Sequence, residues 1–175
     1  MFSNPDKNID QFSLGDGMYV ADFGAGSGAY TLAAARAVGG DGKVYAIDVR
    51  QETLAKIKKE ATEKSLHNVE VLRGDLERTG GSGLRDGAVD AVIVSNILFQ
   101  IQDKKAFVSE IRRVLRPTGR VLLVEWSASF GGVGPQAEMV VREETARALF
   151  LENGFSLQKT IDAGAQHYGL IFKRG

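Results

Sequence analysis

The acidic residues of this chain fall where chemistry could use them, at the ends of apolar runs. Asp22 follows Tyr19-Val20-Ala21 and opens Asp22-Phe23-Gly24-Ala25-Gly26-Ser27-Gly28, after which an alanine-rich stretch begins at Ala29. That order reads as a buried strand, a glycine-rich turn and a helix start, a junction that brings backbone N–H groups close to a nucleotide-like ligand. Asp48 ends a second apolar run, Val44-Tyr45-Ala46-Ile47, and lies about 20 residues past the last glycine. A carboxylate there, with Val49 beside it, can accept hydrogen bonds from ribose hydroxyls. Asp75 follows a third run, Val69-Glu70-Val71-Leu72-Arg73-Gly74. It can present a carboxylate to an adenine amino group while Leu76 packs on the ring, although Gly-Asp is also ordinary turn chemistry.

Two ligand classes suit the glycine turn. Gly24, Gly26 and Ala29 satisfy the dinucleotide pattern G-x-G-x-x-A. A dinucleotide, however, brings an anionic pyrophosphate toward the Asp22 carboxylate, and like charges repel at that range when partly desolvated. S-adenosylmethionine (SAM) brings an α-ammonium and a sulfonium instead, to which Asp22 is complementary. The third glycine, Gly28, leaves room for a ligand pressed against the backbone. Asp48 suits either ligand. A tight turn with no ligand is the plain structural reading of the same residues.

With these motifs in this order, the chain resembles the class I SAM-dependent methyltransferases over nearly all its length, from about Met18 to Lys173. Asp22 to Gly28 is similar to that family's first motif, Asp48 to its ribose-binding acid and Gly74-Asp75 to its adenine-side acid. Asp90-Ala91-Val92-Ile93-Val94-Ser95-Asn96 resembles the fourth strand, whose end faces the transferring methyl group. Leu115-Arg116-Pro117-Thr118-Gly119 resembles the turn into strand five, with Thr118 in place of a glycine. The resemblance implies SAM as cofactor, held by Asp22, Gly24, Ala25, Gly26, Gly28, Asp48, Val49, Gly74, Asp75, Leu76, Ser95 and Asn96. It implies an α/β fold, a Rossmann-like, mostly parallel seven-stranded sheet with helices on both faces and a C-terminal antiparallel hairpin. Within the class the chain looks most like the small-molecule branch around ubiquinone/menaquinone-biosynthesis C-methyltransferases and arsenite methyltransferase-like proteins.

Composition narrows the chemistry. The chain has 175 residues and no cysteine, so a cysteine nucleophile on a pyrimidine ring and thiol ligation of arsenic are both excluded. The arsenite-like resemblance is therefore one of scaffold. Lysine plus arginine equals aspartate plus glutamate at 22 each, so a strongly basic nucleic-acid footprint is absent, though a local patch is compatible with that balance. With two distant histidines, His67 and His167, and no ligand-spaced cluster, no metal site is expected. No apolar run reaches the roughly 20 residues of a membrane span, and the N-terminus lacks a charged-then-apolar signal pattern. The expected location is cytoplasmic.

The connecting elements must hold these residues at one edge. A single domain over 1–175 is expected, with 1–17 as a short N-terminal lid anchored by Ile9, Phe12 and Leu14. Leu54, Ile57 and Ala61 recur at helical spacing, as do Phe107, Ile111, Val114 and Leu115. Pro117 stops the second of these helices at or before Arg116. Glu52–Lys56 and Glu60–Lys64 are i,i+4 pairs that make the lysine-rich stretch 56–64 a solvated helix face. Thr79-Gly80-Gly81-Ser82-Gly83 reads as a flexible connection. A helix over 142–152 closes at Asn153-Gly154. Phe155, Leu157 and Ile161 then share one face of a strand, which pairs antiparallel with the run from His167 to Phe172 across the turn at Ala163-Gly164-Ala165.

The acceptor is not written in these motifs. Only a short glycine-rich segment, 127–135, follows strand five, so the acceptor site is either open or closed by a mobile loop or a second copy of the chain. Balanced charge points to a small-molecule acceptor; an open site would suit a protein or RNA, and a SAM-binding module without chemistry would need no cover at all. No Asp/Asn-Pro-Pro-Tyr/Phe sequence follows strand four, unlike in exocyclic-amine nucleic-acid methyltransferases; Ser95-Asn96-Ile97 stands there. The motifs assign no catalytic residue. Asn96, His167 and Tyr168 are the candidates, with Trp126 as a wall of the acceptor pocket or a cap on the core. A missing base does not preclude transfer, because the sulfonium is an activated leaving group and positioning alone can supply roughly 7–11 kcal/mol.

Overall fold

The runs 20–23, 44–47 and 91–94 carry a single charged side chain, Asp22, and apart from the half-buried Tyr45 are otherwise apolar. Such runs form interior strands of a sheet covered on both sides. The computed structural model, which describes residues 3–175, shows this arrangement. Seven strands run β1 (Tyr19–Phe23), β2 (Lys43–Asp48), β3 (Val69–Arg73), β4 (Val89–Ser95), β5 (Leu115–Trp126), β6 (Phe155–Ile161) and β7 (His167–Arg174). Their order across the sheet is β3-β2-β1-β4-β5-β7-β6. The first five are parallel, and β7 runs antiparallel to both β5 and β6. The sheet is thus the Rossmann-like one with a terminal antiparallel hairpin.

Alternation along the strands sorts the core into two layers. Val20, Val44, Ala46, Ile93, Val124 and Ile171 face helices α1 (Pro5–Phe12), α2 (Ala29–Val38) and α3 (Gln51–Glu63). Phe23, Ile47, Val94, Leu123, Leu170 and Phe172 face α4 (Lys104–Val114) and α5 (Glu143–Glu152). Local chemistry sets the helix ends. Asn4 caps α1 by accepting from the Lys7 amide, and Pro5 stands in the first turn, where its missing N–H costs nothing. Asp103 caps α4 through the Ala106 amide. The α1 helix is fixed at its far end by Arg120 of β5, which donates to the carbonyls of Phe12 and Ser13 and lies over the Phe12 ring.

Three details depart from sequence expectation. β5 begins at Leu115, before the Pro117 turn, and its pairing with β4 jumps from Leu115 to Arg120, so 116–119 bulge out of the ladder. Phe155 and Leu157 pack toward α4 and α5, whereas Ile161 packs on the opposite layer. The reason is a bulge in β6: Leu157 pairs with Phe172 but Lys159 with the adjacent Ile171, and one extra residue flips every side chain after it. The glycine-rich connection 79–83 is also held in place. Glu110, fully buried on α4, accepts from the amides of Gly80 and Ser82, from Ser82 Oγ at 2.6 Å and from Arg113.

Burial alone would raise the Glu110 carboxyl, but the Arg113, Ser82 and Gly80 donors outweigh it and hold the group at about 2. Its folded value lies below the ordinary one, so its stabilisation is complete above about pH 4.5 and is lost as pH falls toward about 2. Glu110→Ala leaves the Gly80 and Ser82 donors unpaired while Arg113 keeps Asp86 and the Leu84 carbonyl, and should cost roughly 1–3 kcal/mol in urea unfolding at neutral pH. The variant should also lack this part of the wild-type loss of stability in acid.

Candidate functional site

In a parallel sheet every strand delivers its carboxyl end to the same edge. Here the chain leaves β1 for β2 on one side, while β4 lies on the other, and ligands bind in the crevice at such a reversal. The crevice holds a cavity of about 560 Å³, within the range of small-molecule sites. Asp22, Gly24, Ala25, Gly26, Asp48, Val49, Asp75, Leu76, Ser95, Asn96 and His167 of the expected residues line it. Gly28, Gly74 and Tyr168 are not among the lining residues.

These three have evident structural surroundings. Gly28 starts α2 at φ 81°, and a Cβ there would sit 2.7 Å from Ile57, so its bare backbone lets α2 and α3 approach. A Cβ on Gly74 would meet the Gly81 carbonyl at 2.3 Å. Tyr168 faces the α4–α5 layer, and its buried hydroxyl donates to the Val141 carbonyl.

The glycine turn is not built to hold an anion. Gly24 and Ala25 donate their amides to the Ile47 carbonyl at 2.9 and 3.0 Å, and Gly28 donates to Ala25. The Gly26 amide donates to Asp48 Oδ2 at 3.1 Å. With these donors already paired inside the protein, the turn contributes close approach and shape rather than a phosphate cradle. The charge it does present is negative. Asp22, 1% exposed, accepts from Thr31 Oγ1 at 2.6 Å. Burial pushes its carboxyl up to about 6; the Thr31 donors oppose that rise and the Asp48 charge adds to it. A cationic ligand group at the end of β1 would draw the proton off and pair with the carboxylate.

Asp48 sits at the opposite wall, 6% exposed. Burial would raise it, but the side chain and amide of Arg50 and the Gly26 amide keep it below the ordinary carboxylate range. Asp75 stays exposed, accepts from the Glu77 amide and pairs with Arg78, while Leu76 is buried beside it. Glu77 accepts from the amides of Gln102 and Asp103, tying this rim to the start of α4.

At the β4–β5 end, Asn96 takes a left-handed backbone at φ 53° and donates its amide to Val124. Glu125, fully buried, accepts from the Leu98 and Trp126 amides, which anchors the turn after β4. Burial pushes its carboxyl up to about 7 against those donors. Trp126 packs against His167 with ring centroids 4.3 Å apart and the rings tilted by 38°. The entry to α1, through Ser3 and Pro5, and the first turn of α2, through Tyr30, also line the cavity. The Tyr30 hydroxyl accepts from Asn8 Nδ2 at 2.7 Å and lies 2.7 Å from Ser3 Oγ.

Thr31, Tyr30, Arg50 and Glu77 were not singled out from the sequence. Arg50 and Glu77 each lie two residues beyond a predicted strand-end aspartate, where an Asx-type turn returns the chain toward that carboxylate. Tyr30 and Thr31 lie in the first turn of the helix after the glycines, and nothing in their types distinguishes them from packing residues.

The comparisons agree with this geometry. Residues 21–123 match the family model described as "Methyltransferase domain". The chain belongs to that family, and the cofactor that goes with it is S-adenosyl-L-methionine. Curated relatives include an arsenite methyltransferase of Halobacterium salinarum, 31% identical over 63% of this chain and 28% of that protein. They also include a demethylmenaquinone methyltransferase of Bacillus mycoides, 32% identical over 63% of this chain and 46% of that one. The chain thus spans less than half the length of these relatives. Among solved structures, a SAM-dependent methyltransferase from Aquifex aeolicus is 27% identical with a TM-score of 0.90, covering 99% of this chain and 91% of that one. The nicotinamide alternative raised by G-x-G-x-x-A falls away. No helix among the described residues is long and apolar enough to cross a membrane.

Because the folded Asp22 value lies above its unfolded one, the stability tied to its proton is complete below about pH 4 and is lost as pH rises through about 6. Asp22→Asn keeps an acceptor for Thr31 without the charge. In urea titrations of ligand-free protein the variant should be as stable as wild type or more so at about pH 8, with the gap closing toward about pH 4.

Proposed function

We propose that this chain is a SAM-dependent methyltransferase acting on a small-molecule acceptor. The observation that carries the reading is the buried Asp22 carboxylate beside a turn whose Gly24, Ala25, Gly26 and Gly28 amides are already paired. That arrangement suits an ammonium and a sulfonium and leaves a pyrophosphate few donors beside a carboxylate. Asp22 would hold the cationic amino-acid end, Gly24 to Gly26 would pack against it, and Asp48 would accept from the ribose hydroxyls. Val49, Asp75 and Leu76 would bound the adenine, and Ser95 and Asn96 would face the reacting methyl. When bound, the cofactor supplies a methyl group on a positively charged sulfur, already activated for in-line displacement.

The chain's share of the work is positional. Rigid strand ends align donor and acceptor, and such alignment can supply roughly 7–11 kcal/mol of barrier lowering. The entry to α1 at the cavity supports a small acceptor and the role of 1–17 as a lid, since Ser3 and Pro5 are among the lining residues. Family membership and the relatives' names, which include a quinone and an arsenite methyltransferase, support the same class.

Calorimetric titration with S-adenosylhomocysteine, with NADH as control, tests the cofactor reading. Micromolar binding of the first alone is the expected result; NADH binding without it would overturn the proposal. Asp48→Ala should weaken S-adenosylhomocysteine by on the order of 1–3 kcal/mol, the usual loss for charge-assisted hydrogen bonds. An unchanged affinity would place the ribose elsewhere.

A further inference from the structure

His167 is 8% exposed, lines the cavity, and has no protein partner among the described residues for either ring nitrogen. A buried imidazole left in that state is costly unless a ligand supplies the missing bond. Its orientation is fixed. The Trp126 ring lies against it, tilted by 38°, and Gly134 at φ 80° presses its bare backbone on the Trp126 ring, where a Cβ would lie 2.7 Å from the indole. Asn96, at the end of β4, likewise carries a buried Oδ1 with no partner. Both residues line the cavity, so each offers it an unfilled polar position, and Asn96 does so where Ser95 and Asn96 would face the methyl.

The charge around them narrows what they can take. Arg50 is the only guanidinium or ammonium lining the cavity among the described residues, and it is paired with Asp48 at the other wall. Apart from the sulfonium itself, an anionic acceptor would meet no side-chain countercharge beside His167. Burial lowers the His167 value, which leaves the imidazole neutral, with an unprotonated nitrogen that can accept a hydrogen bond. A neutral imidazole is matched to a weakly acidic hydroxyl of phenol type, near pKa about 10, rather than to an aliphatic alcohol.

We propose that His167 is the general base of this site and that, together with Asn96, it selects an uncharged acceptor bearing a phenol-type hydroxyl. In the step, the acceptor oxygen forms a bond to the methyl carbon while His167 takes the hydroxyl proton. The carbon–sulfur bond of the sulfonium donor breaks with its electron pair kept by sulfur, and the imidazolium returns its proton to water after release. This assignment rests on the cofactor reading above, and its test separates the two.

The chain has two histidines, so the His167 imidazole nitrogens can be followed by NMR, with His67 as internal control and His167→Gln for assignment. Protein saturated with S-adenosylhomocysteine is titrated with p-cresol, with its methyl ether p-methylanisole and with p-toluate. The expected result is binding of p-cresol about tenfold tighter than either other probe, with a shift confined to His167. His167→Phe should keep its S-adenosylhomocysteine affinity and lose that preference. In turnover with SAM, His167→Gln should form p-methylanisole from p-cresol at least about 10²-fold more slowly than wild type. Preference for p-toluate, no probe binding, an unmoved His167 signal, no ether from wild type or equal rates in the variant would each overturn the assignment. Failure to bind S-adenosylhomocysteine at all would instead overturn the cofactor reading.

Discussion

The β1 strand must keep a carboxylate out of water at the point where the sheet opens, and much else follows from that requirement. Asp22 is surrounded by apolar strand neighbours, and a single hydroxyl, Thr31, donates to it at 2.6 Å. Thr31 lies in the first turn of α2, so the bond requires the chain to reverse within the glycine turn and bring the helix start back over β1. That reversal is possible because Gly24, Gly26 and Gly28 all take positive φ. The site's geometry and its electrostatic character therefore share one origin.

Besides Asp22 and Asp48, two carboxylates are buried, and the surroundings treat each differently. Glu110 has a guanidinium and two backbone donors, so it stays ionised and works as a tether for the 79–83 connection. Glu125 has only backbone donors, and burial leaves it near neutrality while it secures the turn after β4. Asp22 has the fewest donors for its degree of burial. A cationic ligand would complete its coordination, which is the sense in which the ligand-free fold is unfinished there. Functional sites commonly hold such locally unfavourable charge, at the expense of stability.

The cavity divides along its length by the same logic. The end proposed for the nucleoside is polar and ion-paired, with Asp48–Arg50 and Asp75–Arg78 closing the strand ends. The end between β4, β5 and β7 is uncharged, walled by Trp126, His167, Tyr30 and the start of α1. β7 reaches this end because it runs antiparallel to β5 and sets His167 directly opposite Trp126. The terminal hairpin is therefore part of the site as well as an edge of the sheet.

The residues alone determined the strand–turn–helix junction at Asp22, the strand-end positions of Asp48 and Asp75, the helices of α3 and α4 and the antiparallel terminal pair. Each is a local pattern, set by periodicity, turn residues or an apolar run, and local patterns survive folding. Other features needed the tertiary structure. The bulge that turns Ile161 to the other layer depends on how β6 meets β7, which no spacing within β6 records. The glycine-rich 79–83 connection looked free because its partner, Glu110, is some thirty residues away in sequence. His167, Asn96, Tyr30 and Ser3 lie far apart along the chain and have ordinary neighbours. Only the crossing of β4, β5, β7 and α1 at one edge makes them a site, because convergence is a property of packing in three dimensions and not of any one segment.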